Sequence, residues 1–166
     1  MTKLIEHLAF DLDGVIRNLI YAFEQHYIFK VKEYNFRHKG KDFWRMAKEH
    51  PEFFIDAPPT KYYKMIKKEI KCPEIWTFQH KEYRDMTEHW LAKHFDNFNV
   101  KFFNCGSDKY KYLRKQHNYI LVEDTANFPD YTRVLLIDQK WNKQIKNAYR
   151  INKVKELKTL IKGINK

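Results

Sequence analysis

The stretch of sequence that decides the fold reads Leu8-Ala9-Phe10-Asp11-Leu12-Asp13-Gly14-Val15. Its first three residues are apolar, and two carboxylates one residue apart follow at once. Gly14 then permits a sharp turn, because a residue without a Cβ adopts positive φ without strain. The pattern predicts a buried strand that delivers Asp11 and Asp13 to its end, on one side of the strand if the alternation of side chains continues.

Two carboxylates buried side by side need a counter-charge, since without one the burial of Asp11 and Asp13 costs several kcal/mol. A hard divalent cation removes this cost. Where oxygen ligands meet phosphate groups, that cation is typically Mg²⁺. The bare pair of aspartates also occurs in turns and in sugar-nucleotide transferases, so the strand before it and the glycine after it are what favour a metal site.

Five apolar runs bounded by turn residues predict strands, at residues 7–10, 75–77, 100–103, 119–122 and 133–137. Helical periodicity lies between them, notably over 83–95 and 109–117. This alternation predicts an α/β fold, a three-layer Rossmann-like domain whose parallel sheet is covered by helices on both faces. In such sheets ligands bind beyond the carboxyl ends of the strands.

One interval, from Asn18 to Ile70, interrupts the alternation. It contains no convincing strand, and its helical segments are separated by Gly40, Pro51 and the Pro58-Pro59 pair. We predict a small helical cap over 18–70, inserted after the first strand of a core domain made of 1–17 and 71–166. Residues 21–63 hold 12 of the 28 aromatic residues. Most of these rings are expected to form the small core of the insertion, and some to face a ligand.

Composition excludes several classes of protein. With 166 residues, 43% hydrophobic and 32% charged, the chain is neither disordered nor membrane-spanning, because apolar runs such as 134–137 are far too short for a bilayer. Residues 1–7 lack a signal-peptide pattern, so a cytoplasmic location is expected. Cys72 and Cys105 fit no zinc spacing and are expected to be thiols.

Positive charge is concentrated at the end of the chain. Of a formal net charge of +11, residues 140–166 carry nine Lys or Arg against Glu156 alone. In this tail Ile151, Val154, Leu157, Ile161 and Ile164 recur at helical spacing, which predicts a final amphipathic helix with a solvated basic face. A surface that binds nucleic acid is the alternative.

The motif at Asp11 resembles the first motif of the haloacid dehalogenase-like (HAD) phosphohydrolases, an apolar strand followed by DxDGV or DxDGT. Three further motifs of that family have counterparts in order along the chain: Thr77 ends an apolar run, Lys109 enters a helix, and Glu123-Asp124 follow the run 119–122. The motifs together span Asp11 to Asp124. The first and last are specific, and the other two are generic.

The resemblance implies a phosphatase mechanism. Asp11 would be the nucleophile and Asp13 the general acid and base, while Thr77 would bind a phosphoryl oxygen and Lys109 would offset its charge. Mg²⁺ would be held by the side chains of Asp11 and Asp124 and by the carbonyl oxygen of Asp13. Glu123 would support these ligands without binding the metal itself.

Some assignments stay open in the sequence. Lys111 competes with Lys109, since both lie in the first turn of their predicted helix. Asp130 is either a secondary metal ligand or a turn residue. His89 and His94, five residues apart, lack a metal-binding spacing and are expected to be structural.

A cap of this size suits a small phosphorylated substrate. The cap and the segment 133–142, which ends in Trp141-Asn142, are similar to those of the 5'(3')-deoxyribonucleotidase branch, which implies nucleoside monophosphates as substrates. Two alternatives remain: a phosphatase acting on nucleic-acid ends, which the basic tail favours, and a domain that binds nucleotides or nucleic acid without turnover. No membrane partner is expected.

Overall fold

The computed structural model describes residues 6–33 and 35–164. Its strands are β1 (His7–Phe10), β2 (Arg37–His38), β3 (Lys41–Asp42), β4 (Glu74–Phe78), β5 (Asn99–Phe103), β6 (Tyr119–Glu123), β7 (Val134–Ile137) and β8 (Tyr149–Ile151). Its helices are α1 (Leu19–Tyr27), α2 (Phe43–Glu49), α3 (Phe53–Asp56), α4 (Tyr63–Glu69), α5 (Arg84–His94), α6 (Gly106–Lys115) and α7 (Val154–Ile164). Two parts of the sequence analysis concern residues outside this description. They are Met1–Ile5, from which a cytoplasmic location was expected, and Lys166 of the basic tail.

Six strands form one parallel sheet in the order β5-β4-β1-β6-β7-β8. The predicted α/β fold with a parallel sheet flanked by helices is therefore confirmed. The chain leaves β1 toward β4 and β5 on one side, and it later fills the other side with β6, β7 and β8. The strand order thus switches direction at β1 and β6, and such a switch point is where open α/β sheets bind ligands.

Both faces of the sheet are covered, because side chains that alternate along each strand enter two separate apolar clusters. On one face Phe10, Ile75 and Val122 pack with α5 and α7 through residues such as Leu91 and Leu157. On the opposite face the cluster includes Ala9, Trp76, Leu121, Leu136 and, from α6, Leu113. The central strands are buried from both sides, which is why their sequences read as nearly continuous apolar runs.

The segment 18–70 forms a third cluster, which includes Phe23, Phe36, Met46 and Phe54 together with Tyr83 of the core. Its last helix, α4, packs instead against α7 and contributes Ile66 to the cluster of the sheet. The segment also contains the two-residue hairpin of β2 and β3, although no strand was predicted there. Two residues per strand are too few to leave a periodic pattern in the sequence.

The predicted final helix is present but shorter than expected. Ile151 belongs to β8, where it pairs with Ile137 of β7, and α7 begins only at Val154. The carboxylate of Glu156 accepts hydrogen bonds from the backbone N–H groups of Asn152 and Lys153, so it caps the start of the helix. Across the described ranges, the search for a helix of the length and apolarity that a bilayer requires finds none.

Candidate active site

The strand register brings the carboxylates together. Phe10 of β1 lies level with Val122 of β6, so the residues that follow them, Asp11 and Glu123, emerge at the same edge of the sheet. The backbone N–H of Asp11 donates to the carbonyl of Val122 at 2.8 Å, which extends the ladder by one step. Parallel strands end at one edge, and this shared edge turns distant sequence positions into neighbours.

Asp11, Glu123 and Asp124 form a buried acidic cluster, in which one carboxylate oxygen from each residue lies within 4.8 Å of the others. The ammonium group of Lys109, in the first turn of α6, enters this cluster. It lies 2.8 Å from Asp11 Oδ1 and 2.5 Å from Glu123 Oε2. The other oxygen of Glu123 accepts hydrogen bonds from the backbone N–H groups of Asp124 and Thr125. Glu123 therefore fixes both the lysine and the loop that carries Asp124.

Burial sets the protonation behaviour of the cluster. It raises the pKa of Asp11 well above its usual value, repulsion from Glu123 adds to the rise, and Lys109 offsets part of it. The pKa of Asp124 is raised for the same first two reasons. Burial alone lowers the pKa of Lys109, but attraction by Asp11 and Glu123 outweighs it, and the net shift is upward. Without a further cation, the cluster therefore favours protonated aspartates over a full set of ionised carboxylates.

The residues present fit a divalent cation. Three carboxylates against one ammonium group leave two uncompensated negative charges when all are ionised, and all three carboxylates are buried. Carboxylate oxygens are the ligands of hard cations such as Mg²⁺ and Ca²⁺. Asp11, Glu123 and Asp124 could therefore hold such an ion.

Gly14 lets the β1 loop approach the acidic cluster. Its φ is +87°, and a Cβ placed on it would lie 1.8 Å from Asp124 Oδ2 and 2.5 Å from Asp124 Cγ. No side chain can occupy this space unless Asp124 moves. The glycine of the DxDG stretch thus serves the site twice, through its backbone conformation and through the room it leaves for the carboxylate.

Gly14→Ala is therefore expected to displace Asp124. Backbone strain at positive φ alone should cost about 1–3 kcal/mol of the free energy of unfolding, and the clash adds to it. Thermal melts with and without Mg²⁺ should show a less stable protein that gains little from the metal. Gly163→Ala in α7 is the control, because nothing lies within 4 Å of a Cβ there, and it should be at least as stable as wild type. A Gly14→Ala protein that keeps its full response to Mg²⁺ would contradict this account of the loop.

Asp13 lies outside the acidic cluster. Its side chain is 23% exposed, and both of its oxygens accept hydrogen bonds from the guanidinium group of Arg17, at 2.6 and 2.9 Å. Arg17 is fully buried and was not singled out in the sequence. The sequence offered little signal for this pair, because a spacing of four residues predicts contact within a helix and Asp13 and Arg17 precede α1.

Asp11, Asp13, Thr77 and Lys109 face one cavity of about 910 Å³, between the strand ends and the segment 18–70. This volume is in the range of small-molecule sites. Thr77, near the end of β4, is 1% exposed. Aromatic rings from both sides line much of the remaining wall, namely Phe36, Phe43, Trp44, Phe78, Phe128 and Trp141.

Trp141 and Asn142 bind the backbone of the loop that carries Asp124. The indole N–H of Trp141 and the amide of Asn142 both donate to the Asp124 carbonyl, at 3.1 and 2.9 Å. Gln139, in the same short segment, donates to the Gly14 carbonyl at 3.1 Å. The sequence drew attention to Trp141-Asn142 only by similarity. Their positioning role depends on the fold that brings them to the loop.

The alternatives that the sequence left open have distinct places. Lys111 is exposed at the rim of the cavity, 4.0 Å from Asp108, whereas Lys109 is buried against Asp11. Asp130 accepts hydrogen bonds from Thr132 and pairs with Arg114, as a turn residue does. The His94 ring packs against Trp90 at a tilt, and His89 is exposed.

Comparison with known proteins gives no further assignment: no protein-family model matches the chain, and a search of curated proteins finds no match either. The resemblance to the HAD phosphohydrolases therefore rests on the sequence motifs and stays a prediction.

Proposed function

We propose that the protein is a Mg²⁺-dependent phosphomonoesterase of the HAD type that acts through an aspartyl-phosphate intermediate. The observation that carries the proposal is the contact of Asp11 with Lys109 inside a buried acidic cluster at the floor of a substrate-sized cavity. A carboxylate paired with an ammonium group, beside a site that fits a divalent cation, is a nucleophile prepared for an anionic electrophile.

Asp11, Asp124 and Glu123 would hold the metal, to which the carbonyl of Asp13 could add a further oxygen. The bound Mg²⁺ would neutralise phosphoryl charge that otherwise repels an attacking carboxylate. The resemblance implies that Glu123 supports the metal ligands without binding the metal. Glu123 contributes one of the three clustered carboxylates and binds Lys109.

The protein's own groups divide the remaining work. Asp11 attacks phosphorus in line with the leaving oxygen, and Lys109 offsets the charge that develops on the phosphoryl oxygens. The Thr77 hydroxyl donates a hydrogen bond to one of these oxygens. Asp13, which faces the same cavity, gives a proton to the leaving oxygen and later takes one from the water that hydrolyses the intermediate.

The cavity favours a nucleoside monophosphate as the substrate. A flat base can stack on the aromatic rings that line the wall opposite the acidic cluster, such as Phe43 and Trp44. The polar groups of Asn35 and Arg37 face the same space and could bind a sugar or base edge. The test is a screen of nucleoside monophosphates and end-phosphorylated oligonucleotides with Mg²⁺. Preferred turnover of the monophosphates supports the proposal, and no turnover of any phosphomonoester contradicts it.

The second candidate is a phosphatase on nucleic-acid ends, which the basic tail favours. Several tail cations already have partners within the protein: Lys143 and Arg150 pair with Asp138, and Lys158 pairs with Glu69. Among the described residues that line the cavity, none belongs to α7. These contacts favour the monophosphate.

Replacing Lys155 and Lys162 with Gln distinguishes the two candidates, because both lysines are exposed on α7. We expect kcat/KM for nucleoside monophosphates to remain nearly unchanged. If the tail instead binds a single strand, the slope of log affinity for the oligonucleotide against log salt concentration should become shallower by roughly 0.7 per lost phosphate contact. A steep salt slope in the wild type that these substitutions reduce would support the second candidate.

A further inference from the structure

The guanidinium group of Arg17 is buried and has a partner for every donor. Besides the two bonds to Asp13, Nη1 donates to the Phe54 carbonyl at 2.7 Å and to Thr87 Oγ1 at 3.2 Å. With the Gln79 amide oriented so that its oxygen faces these groups, Nη2 also donates to that oxygen at 3.0 Å. A guanidinium group has five N–H donors, and all five are used here.

The neighbours of Arg17 leave it one orientation. The aromatic rings of Phe54 and Trp90 lie 5.3 and 5.7 Å from the guanidinium carbon. The backbone closes the turn as well, since the N–H of Gly14 donates to the Arg17 carbonyl at 2.8 Å. A planar fork fixed in this way holds a carboxylate by two parallel bonds, which sets the orientation of the carboxylate as well as its distance.

Stability alone is a poor explanation for this arrangement. Apolar side chains of similar volume stabilise an interior as well as a buried ion pair does, because both ions lose their hydration. Among the partners of Arg17, Asp13 is the one that is charged, and its side chain also lines the cavity.

We infer that Arg17 is a positioning residue that fixes the carboxylate of Asp13 for proton transfer and links it to the cap segment through the Phe54 carbonyl. This inference rests on the proposed function, in which Asp13 is the general acid and base. Arg17 itself is fully buried and does not line the cavity. Its effect should therefore appear only in the steps in which Asp13 gives or takes a proton.

The leaving group of the substrate provides the test. A nitrophenolate departs without a proton, whereas the alkoxide of a nucleoside monophosphate needs one. In Arg17→Lys, which keeps the charge but loses the fork, the rate at which the monophosphate phosphorylates Asp11 should fall by about 100-fold, as expected for a misplaced catalytic group, while the rate at which p-nitrophenyl phosphate phosphorylates it changes little. A rapid acid quench measures both rates, because the later hydrolysis of the aspartyl-phosphate also uses Asp13 and should slow with either substrate. Arg17→Gln serves as a second variant, and a thermal melt verifies that each variant is folded.

Two comparisons separate positioning from a structural role. Thr87→Val removes a neighbour of Arg17 but leaves its bonds to Asp13, so both substrates should respond alike. In an Asp13→Asn background, Arg17→Lys should cause no further loss with the monophosphate, because the carboxylate it positions is gone.

The outcomes are distinct. Equal slowing of the two phosphorylation steps in the Arg17 variants, or two Arg17 variants that fail to fold while Thr87→Val folds, would assign Arg17 to stability and overturn the inference, with the proposed function intact. A wild-type protein that hydrolyses neither substrate in Mg²⁺ would overturn the proposed function and the inference together.

Discussion

Asp11→Asn is expected to abolish phosphomonoester hydrolysis, with a loss in kcat on the order of 10⁴-fold or more, because the amide cannot attack phosphorus. The substitution keeps the shape of the side chain and an oxygen that can accept the bond from Lys109. The protein should therefore still fold. The direct measurement uses a substrate with a labelled phosphoryl group and an acid quench, after which the wild type retains label on the protein and Asp11→Asn retains none.

Asp13→Asn is the matched variant, since it makes the same chemical change two residues away. Loss of a general acid and base should lower kcat by about 10²- to 10⁴-fold. Label should still reach the protein and should leave it more slowly than in the wild type. Label on the Asp11→Asn protein, or its absence from Asp13→Asn with a good leaving group, would show that the two roles are assigned wrongly.

Asp124→Asn should remove the response to metal. At a Mg²⁺ concentration of about one hundred times its Kd, the wild type should gain about 2.7 kcal/mol in the free energy of unfolding. The variant loses one of three clustered carboxylates, so it should gain little. In chelator it should be as stable as the wild type or more so, because one buried like charge is gone. Thermal melts in chelator and in Mg²⁺, together with the loss of turnover, measure both effects.

Asp130→Asn is the control for this experiment. Asp130 is an aspartate of a nearby loop that lies outside the acidic cluster and bonds to Thr132 and Arg114. Its variant should keep the full metal response. Equal gains in Tm for the wild type and for Asp124→Asn would mean that the ion binds elsewhere.

The sign of the pH dependence follows from the same cluster. In chelator, the raised pKa values of Asp11 and Asp124 mean that the folded protein holds protons more tightly than the unfolded chain. The two aspartates contribute their full stabilisation at a pH below the usual aspartate pKa. This contribution is lost as the pH rises through their raised pKa values in the folded protein. Mg²⁺ competes with these protons, so its stabilising effect should grow with pH.

Most of the fold could be predicted from the sequence, because the central strands are apolar and are bounded by turn residues. The predicted strand over 7–10 matches β1, and the predicted strand over 119–122 is one residue shorter than β6. In contrast, β8 has only three residues, with Arg150 in the middle, where an apolar residue would have signalled a buried strand. Arg150 bonds to Asp138 and Asn142 instead, and such long-range partners leave no periodic pattern.

The candidate site also has a part that the sequence predicted and a part that it did not. Asp11, Asp13 and Gly14 lie in one local motif, so their sequence alone predicted a strand end with two carboxylates. The depth of Glu123 in the cluster depends on the register between β1 and β6, and the contacts of Arg17 depend on Phe54 and Trp90, which lie far along the chain. Packing between distant segments determines these features, and local patterns along one sequence do not reveal that packing.

The most direct test of the central claim, that Asp11 is the nucleophile of a metal-dependent phosphatase, is a crystal structure of the protein with Mg²⁺ and fluoroberyllate, a mimic of aspartyl-phosphate. We predict beryllium bonded to a carboxylate oxygen of Asp11, with Lys109 and Thr77 bound to the fluorines and Mg²⁺ held at Asp11 and Asp124. Fluoroberyllate bonded to any other residue, or an Asp11 that stays free while the ligand binds elsewhere, would contradict the account.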